Sequence, residues 1–171
     1  MNIKDPVKLS KAKKQLTPRV QHLLQQAEGQ AERKGGQLVG VAIHVDLDHV
    51  TDNRYMETRD AISQELSRIF DCQSALALAA VEMEAWLLLF PEAFPKVRAK
   101  WQIPKKDHRR DCGQEKDPKK YLQRVLTQPK YSETDAPKII EAAVKHGLVT
   151  GRLLGTNRSF TDFVDELQTW R

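Results

Sequence analysis

The segment Val45-Asp46-Leu47-Asp48 is the place in this chain where residue type and spacing most directly suggest chemistry. It closes the run Leu38-Val39-Gly40-Val41-Ala42-Ile43-His44-Val45, which is short and rich in β-branched residues and reads as a strand buried on both faces, as in a parallel sheet. Side chains alternate along an extended chain, so two aspartates separated by one residue lie on the same side. In open parallel sheets ligands gather at the carboxyl ends of the strands. Two carboxylates placed there can grip one hard cation such as Mg2+, which takes oxygen ligands and keeps several waters. Without a cation, their mutual repulsion would cost stability. The competing explanation is plain: acidic residues often begin the turn where a strand runs into solvent, and D-x-D is a common pattern. His44 shares the side of Asp46 and Asp48, and His49 follows directly. Either could be a general base or a ligand, and a buried histidine bonded to backbone is the structural alternative.

Glu82 and Glu84 stand where a second apolar run, Ala75-Leu76-Ala77-Leu78-Ala79-Ala80-Val81, meets the helical spacing of Met83, Trp86, Leu87 and Phe90. In a parallel sheet that junction falls on the same edge as the aspartate pair. A carboxylate in the first turn of a helix is also favoured by the helix dipole, with no ligand needed.

Opposite charge is concentrated further along. Residues 96–130 hold 12 Lys and Arg against four Asp and Glu, a net +8, whereas residues 35–95 carry −7. Residues 1–34 add +5 and residues 131–171 contribute −1, giving +5 for the chain. An acidic middle flanked by basic segments suits a divalent-metal site beside a phosphate-binding surface, and solvated helix faces give the same pattern. Within 96–130, Lys105, Lys106, Arg109, Arg110, Lys119, Lys120 and Lys130 are candidates for nucleic-acid contact, and Trp101 and Tyr121 could stack on bases. Tyr121 also fits the apolar stripe of its own helix.

Several elements must position these groups. Thr17-Pro18 reads as a helix start, Val20, Leu23, Leu24, Ala27 and Ala31 as its apolar face, and Gly35-Gly36 as its stop. A second helix is set by Ile62, Leu66, Ile69 and Phe70. Strand, helix, strand and helix in this order predict a right-handed β-α-β unit. Asp117-Pro118 opens a helix with Tyr121, Leu122, Val125 and Leu126 inward, and Asp135 with Pro137 opens another that Gly147 ends. Ser159 and Asp162 resemble a capping box before Phe160, Phe163, Val164 and Leu167. Residues 101–116 read as a mobile loop. The expected organisation is one α/β domain over residues 1–171, with the sheet core and acidic site at 35–95 and a helical half at 96–171.

A chain of 171 residues with 40% hydrophobic content can bury a core. No apolar stretch reaches the roughly 18 residues of a membrane span, and Met1-Asn2-Ile3-Lys4-Asp5-Pro6 lacks a signal-peptide core. Cys72 and Cys112 make no C-x-x-C pair, arguing against zinc or a disulfide framework. The expectation is a cytoplasmic protein with no membrane partner. There is no Gly-rich phosphate loop, no H-E-x-x-H, no G-x-S-x-G and no helix-turn-helix reader.

Taken in order, Val45-Asp46-Leu47-Asp48, then Ala80-Val81-Glu82-Met83-Glu84-Ala85-Trp86-Leu87-Leu88, Asp117-Pro118-Lys119-Lys120, Lys130-Tyr131-Ser132 and Asn157-Arg158-Ser159-Phe160-Thr161-Asp162-Phe163 resemble a family of uncharacterised Toprim-like proteins related to RloB and to the overcoming-lysogenisation-defect nucleases. The resemblance covers most of residues 35–171, and Glu-Ala-Trp-Leu-Leu is its most specific part. It implies a Toprim (Rossmann-like) fold and nuclease activity on DNA or RNA, often with an ATPase partner in bacterial defence against phage. It also implies that Asp46 and Asp48 bind Mg2+ or Mn2+, that Glu84 is a further ligand or an orienting residue, and that Lys119 and Lys120 contact the phosphate backbone. Self-association is compatible with it.

Two departures stand out. Toprim domains begin with a strand ending in a glutamate that serves as general acid/base, and no such strand precedes residue 37; Glu28 and Glu32 fall within a helix. Family members carry a lysine shortly after the tyrosine, where this chain has Glu133. Two alternatives therefore stay open. One is a catalytically inactive Toprim-like module that binds nucleic acid or a partner. The other is a haloacid-dehalogenase-like phosphohydrolase, since Asp46-Leu47-Asp48-His49-Val50-Thr51 fits D-x-D-x-[VT] with Asp46 as nucleophile and Asp48 as acid/base. The Ser or Thr after the second strand and the late aspartate pair of that family are not evident.

Overall fold

The computed structural model describes residues 16–170. The N-terminal hexapeptide and half of the basic segment 1–34 lie outside the described residues. Helix α1 (Leu16–Arg33) is followed by strand β1 (Gly40–Asp46), helix α2 (Asn53–Ile69) and strand β2 (Gln73–Ala79). Two four-residue helices, α3 (Glu84–Leu87) and α4 (Phe94–Val97), lead into the longer α5 (Pro118–Val125), α6 (Ala136–Lys145) and α7 (Arg158–Gln168). This is a mixed α/β fold, with a helical C-terminal half as expected.

β1 and β2 pair in parallel, Gly40 opposite Gln73 through Asp46 opposite Ala79. A parallel pair needs a crossover, and α2 supplies it. Asp52 starts α2, its carboxylate accepting from the Tyr55 N–H at 3.1 Å. α1 ends as Gly35-Gly36 require: Gly35 has φ 72, and the Gly36 N–H returns to the Ala31 carbonyl at 3.0 Å.

β2 divides the interior. Leu76, Leu78 and Ala80 face a core with Val20 of α1 and Tyr55, Ile62 and Leu66 of α2. Ala77 and Ala79 face the larger helical core around Trp86, Leu87, Trp101, Leu122 and Phe160. β2 is therefore buried on both faces, as its uniformly apolar run predicts.

β1 departs from that expectation. Ile43, Val45 and Leu47 are buried, but Ala42 and His44 are exposed. The reason is coverage: the α1 and α2 core covers one face of both strands, whereas α7 packs on β2. Among the described residues no strand precedes β1. Among them, too, no helix is long and apolar enough to cross a membrane.

Three further expectations are corrected. Thr17 lies inside α1 and its hydroxyl donates to Glu65 at 2.7 Å. Ser159 is not a cap: Asn157 caps α7, accepting from the Phe160 N–H at 3.2 Å. Residues 101–116 are packed instead of forming a mobile loop. Trp101, Ile103 and Cys112 are buried, and residues 110–112 pair with Thr156 through Cys112 N–H to Thr156 O (2.7 Å) and Thr156 N–H to Arg110 O (3.1 Å). Gly155 permits this approach, since a Cβ there would stand 2.8 Å from the Arg110 carbonyl oxygen.

Candidate functional site

Asp46 is the last residue of β1, and its Oδ1 lies 3.2 Å from His44 Nε2 on the exposed face of the strand. His44 is thus a carboxylate partner and not a buried, backbone-bonded histidine; the half-buried His108 bonds to backbone, its Nε2 2.8 Å from the Ile103 carbonyl. Asp48 is exposed and adopts φ 60, in the left-handed region. The alternation that would place both aspartates on one side therefore ends at Asp46, because the chain leaves the strand before Asp48. Across the edge, Val81 adopts φ 61, and its N–H donates to the His49 carbonyl at 2.7 Å. The turns after the two strands are in this way tied to each other. His49 also lies 3.7 Å from Asp52 and accepts from Arg54.

Glu82 and Glu84 leave β2 at the same edge as the aspartates, as a parallel pair requires. Glu84 turns inward: it is buried, and its Oε1 accepts from the Tyr131 hydroxyl at 3.2 Å. Burial raises the Tyr131 pKa well above the usual range for a phenol, and the charge of Glu84 adds to the effect. Burial also raises Glu82, and the Glu84 charge reinforces it while Lys119 opposes it. Glu82 Oε2 is buried without a hydrogen-bond partner among the described residues. Among those residues no group of three or more His, Cys, Asp and Glu side chains is arranged to hold a metal ion. Asp46, Asp48 and Glu84 share an edge, then, without being gathered into one three-carboxylate cluster.

Behind the edge sits a buried polar hub. Ser159 Oγ accepts from Trp86 Nε1–H at 2.8 Å and from the Ala80 N–H at 3.3 Å, and donates to Asn157 Oδ1 at 2.7 Å. It fixes the end of β2 and the start of α3 against α7. Phe160 and Phe163 complete the packing, 5.3 and 5.6 Å from the Trp86 ring centroid. The Glu-Ala-Trp-Leu-Leu segment thus meets Asn-Arg-Ser-Phe through Trp86, Ser159 and Phe160 in the packing behind this edge.

The basic segment lies directly beside the aspartate turn. Gln114 Nε2 donates to Thr51 at 3.2 Å (carbonyl) and 2.9 Å (hydroxyl), and the Thr51 N–H faces the Gly113 carbonyl at 3.4 Å. Its cations divide into two groups. Arg110 pairs with Glu115 at 2.8 Å and lies 4.2 Å over the Tyr121 ring; Lys119 pairs with Glu133, and Lys120 with Asp117 at 2.6 Å. Glu133 restrains Lys119, whose charge also acts on Glu82. Lys105, Lys106, Arg109 and Lys130 are exposed. Trp101 and Tyr121 are not available for bases. Trp101 is fully buried, its Nε1–H on the Pro129 carbonyl at 2.8 Å, and the Tyr121 hydroxyl donates to Asp107 at 2.7 Å. Both rings serve the core because each side chain is as apolar as it is aromatic.

The chain matches no family model, no curated protein and no solved structure. What it offers is therefore judged on its own geometry.

The carboxylates of Asp46 and Asp48 are oxygen donors of the kind Mg2+ takes, with water and substrate phosphate able to complete its shell. Glu84 is buried and engaged by the Tyr131 hydroxyl. Sequence reasoning gives Tyr131 no role of its own and Ser159 only that of a cap; their burial beside Glu84 and Trp86 is a long-range outcome.

Proposed function

We propose that this chain is a Toprim-like, divalent-metal-dependent nuclease or nuclease-like subunit in which Asp46 and Asp48 take Mg2+ or Mn2+. The observation that carries this reading is the pair of left-handed, non-glycine residues Asp48 and Val81, one after each parallel strand, cross-tied by the Val81 N–H to His49 carbonyl bond. A valine costs energy in that conformation, and such positions concentrate at sites where the surrounding fold enforces a geometry. Here the enforced feature is the outward turn that carries Asp48. Bound there, the cation would act as a Lewis acid on a phosphate oxygen. The chain's own contribution is to hold the carboxylates at the strand ends, to keep Glu84 on Tyr131, and to present phosphate-binding cations through the Thr51–Gln114 contact. Lys119 and Lys120 act on Glu82 at the β2 end, and Lys105, Lys106 and Arg109 lie on the adjoining segment. An ATPase partner acting with this site belongs to the same reading.

A second reading, a module that binds but does not cut, draws support from the inward turn of Glu84 and from the lack of a preceding Glu-terminated strand among the described residues. A missing proton-transfer group slows catalysis by about 10²–10⁴-fold. The test combines thermal melts with and without Mn2+ and a nicking assay. Mn2+ should raise the melting temperature of the wild type and not of Asp46→Asn, and any cleavage should be slow and vanish in Asp48→Asn. An unchanged Mn2+ response in Asp46→Asn would reject the metal site. Metal binding without cleavage would select the second reading.

A further inference from the structure

Building on that reading, we propose that the basic segment 96–130 takes duplex nucleic acid through its phosphate backbone and discriminates against single strands. The inference starts from where the aromatic rings are. The chain has 3 Trp, 3 Tyr and 5 Phe, and every one falls within the described residues. Nine of them are buried. The other two, Phe163 and Trp170, are half-covered: Phe163 stacks on Trp86 at 5.6 Å, and Trp170 carbons would lie 3.0 Å from a Cβ at Gly40. The described surface therefore offers no stacking platform. Proteins that hold single strands depend on such platforms, which contribute about 1–3 kcal/mol per stacked base.

Charge, by contrast, is abundant and held in place. Lys105, Lys106, Arg109, Lys116, Arg124 and Lys130 have no carboxylate within ion-pair distance among the described residues. Their backbone is held from three sides. The Tyr121 hydroxyl bonds Asp107, Arg110 and Arg124 lie 4.2 and 5.5 Å over the Tyr121 ring, and Trp101 bonds the Pro129 carbonyl. Gly155 locks residues 108–110 from behind. Cations on a fixed frame suit the fixed phosphate rows of a duplex, which carries about one charge per 1.7 Å of axis. Phosphate contacts set position without reading sequence.

The experiment uses the full chain in EDTA, so that cleavage does not interfere, and fluorescence anisotropy across a salt series. The probes are a labelled DNA duplex, each of its separated strands, an RNA duplex of the same sequence, and a DNA duplex of scrambled sequence. A duplex of either kind should bind at least about ten-fold tighter than either single strand, the equivalent of one absent stacking contact. The scrambled duplex should bind equally. Lys105→Ala with Lys106→Ala, both exposed, should lower the salt slope by about one per phosphate contact removed. Single strands binding as tightly as the duplex would overturn the duplex assignment while leaving a nucleic-acid role intact, and a preference for one duplex sequence would overturn the assignment to the phosphate backbone. An absence of binding to every probe at low salt would overturn both.

Discussion

At Asp48 the backbone is held in a conformation that L-residues avoid by about 1–2 kcal/mol, although aspartate tolerates it better than most. Glycine would relieve that cost and valine would exact it in full. Asp48→Gly is thus expected to be about 1–2 kcal/mol more stable in urea than Asp48→Val, since both lose the carboxylate and only valine keeps the backbone cost. If the residue is kept for its carboxylate, Asp48→Gly will also have lost the response to Mn2+. A glycine variant that is markedly less stable would show that the aspartate side chain supports the turn itself. The neighbouring Glu84 shows the opposite arrangement, a carboxylate drawn inside by a phenol 47 residues away.

Among the elements, α7 does the most to fix the sheet. The Leu76 N–H donates to Glu166 at 2.6 Å and the Leu76 carbonyl accepts from Arg59 at 3.2 Å, so the outer side of β2 is occupied by side chains instead of lying open. Arg59 also pairs with Glu166, and the Tyr55 hydroxyl bonds Asp162 at 2.8 Å. Ser159 is the fully buried member that α7 contributes. Its replacement by alanine leaves the Ala80 and Trp86 N–H groups without a partner, at about 1–3 kcal/mol each. Ser159→Ala should therefore lose about 3 kcal/mol in urea unfolding; a loss below about 1 kcal/mol would mean that water or another acceptor takes its place. These ties also show what sequence could reveal. α5 and α6 were legible because their signals are local: Asp117-Pro118 at one start, Pro137 in the first turn of the other, Gly147 at its end. The strand ends were legible for the same reason. The exposed face of β1 was not, because it depends on where α7 lies, and α7 begins 112 residues after β1 ends. Ser159 mimicked a cap because the true cap, Asn157, stands two residues earlier. Trp101 and Tyr121 among lysines looked like a stacking surface, and only the packing of distant Pro129, Asp107 and Arg110 shows them as core. The left-handed turn at Asp48 has no signal beyond aspartate's tolerance of it.

Over the whole molecule, all three tyrosines are buried, and burial is the first cause raising each pKa, with a hydrogen bond to Asp162, Asp107 or Glu84 reinforcing it. In the unfolded chain the same phenols ionise near their ordinary pKa of about 10. Above that pH the folded chain binds more protons than the unfolded one, so stability is complete below about pH 10 and falls as pH rises. The expected loss approaches about 1.4 kcal/mol per pH unit for each tyrosine, or about 4 for the three together. Urea titrations at about pH 9 and about pH 11 measure it, and the phenolate absorbance should appear only with unfolding. Phenolate absorbance rising near pH 10 in the folded protein would contradict the burial of these side chains.

The ties from α7 have a bearing on how the protein is made. Tyr55, Arg59, Leu76, Ala80 and Trp86 all find their partners among Ser159, Asp162 and Glu166, between 73 and 107 residues later in the chain. A ribosome delivers the strand pair long before it delivers the residues that close it. Contacts of such separation form slowly, and partly folded chains expose strand edges in the meantime. The nascent β-α-β unit must therefore wait, with β2 uncovered, until residues 157–166 have emerged, and that interval is when a chaperone has most to protect.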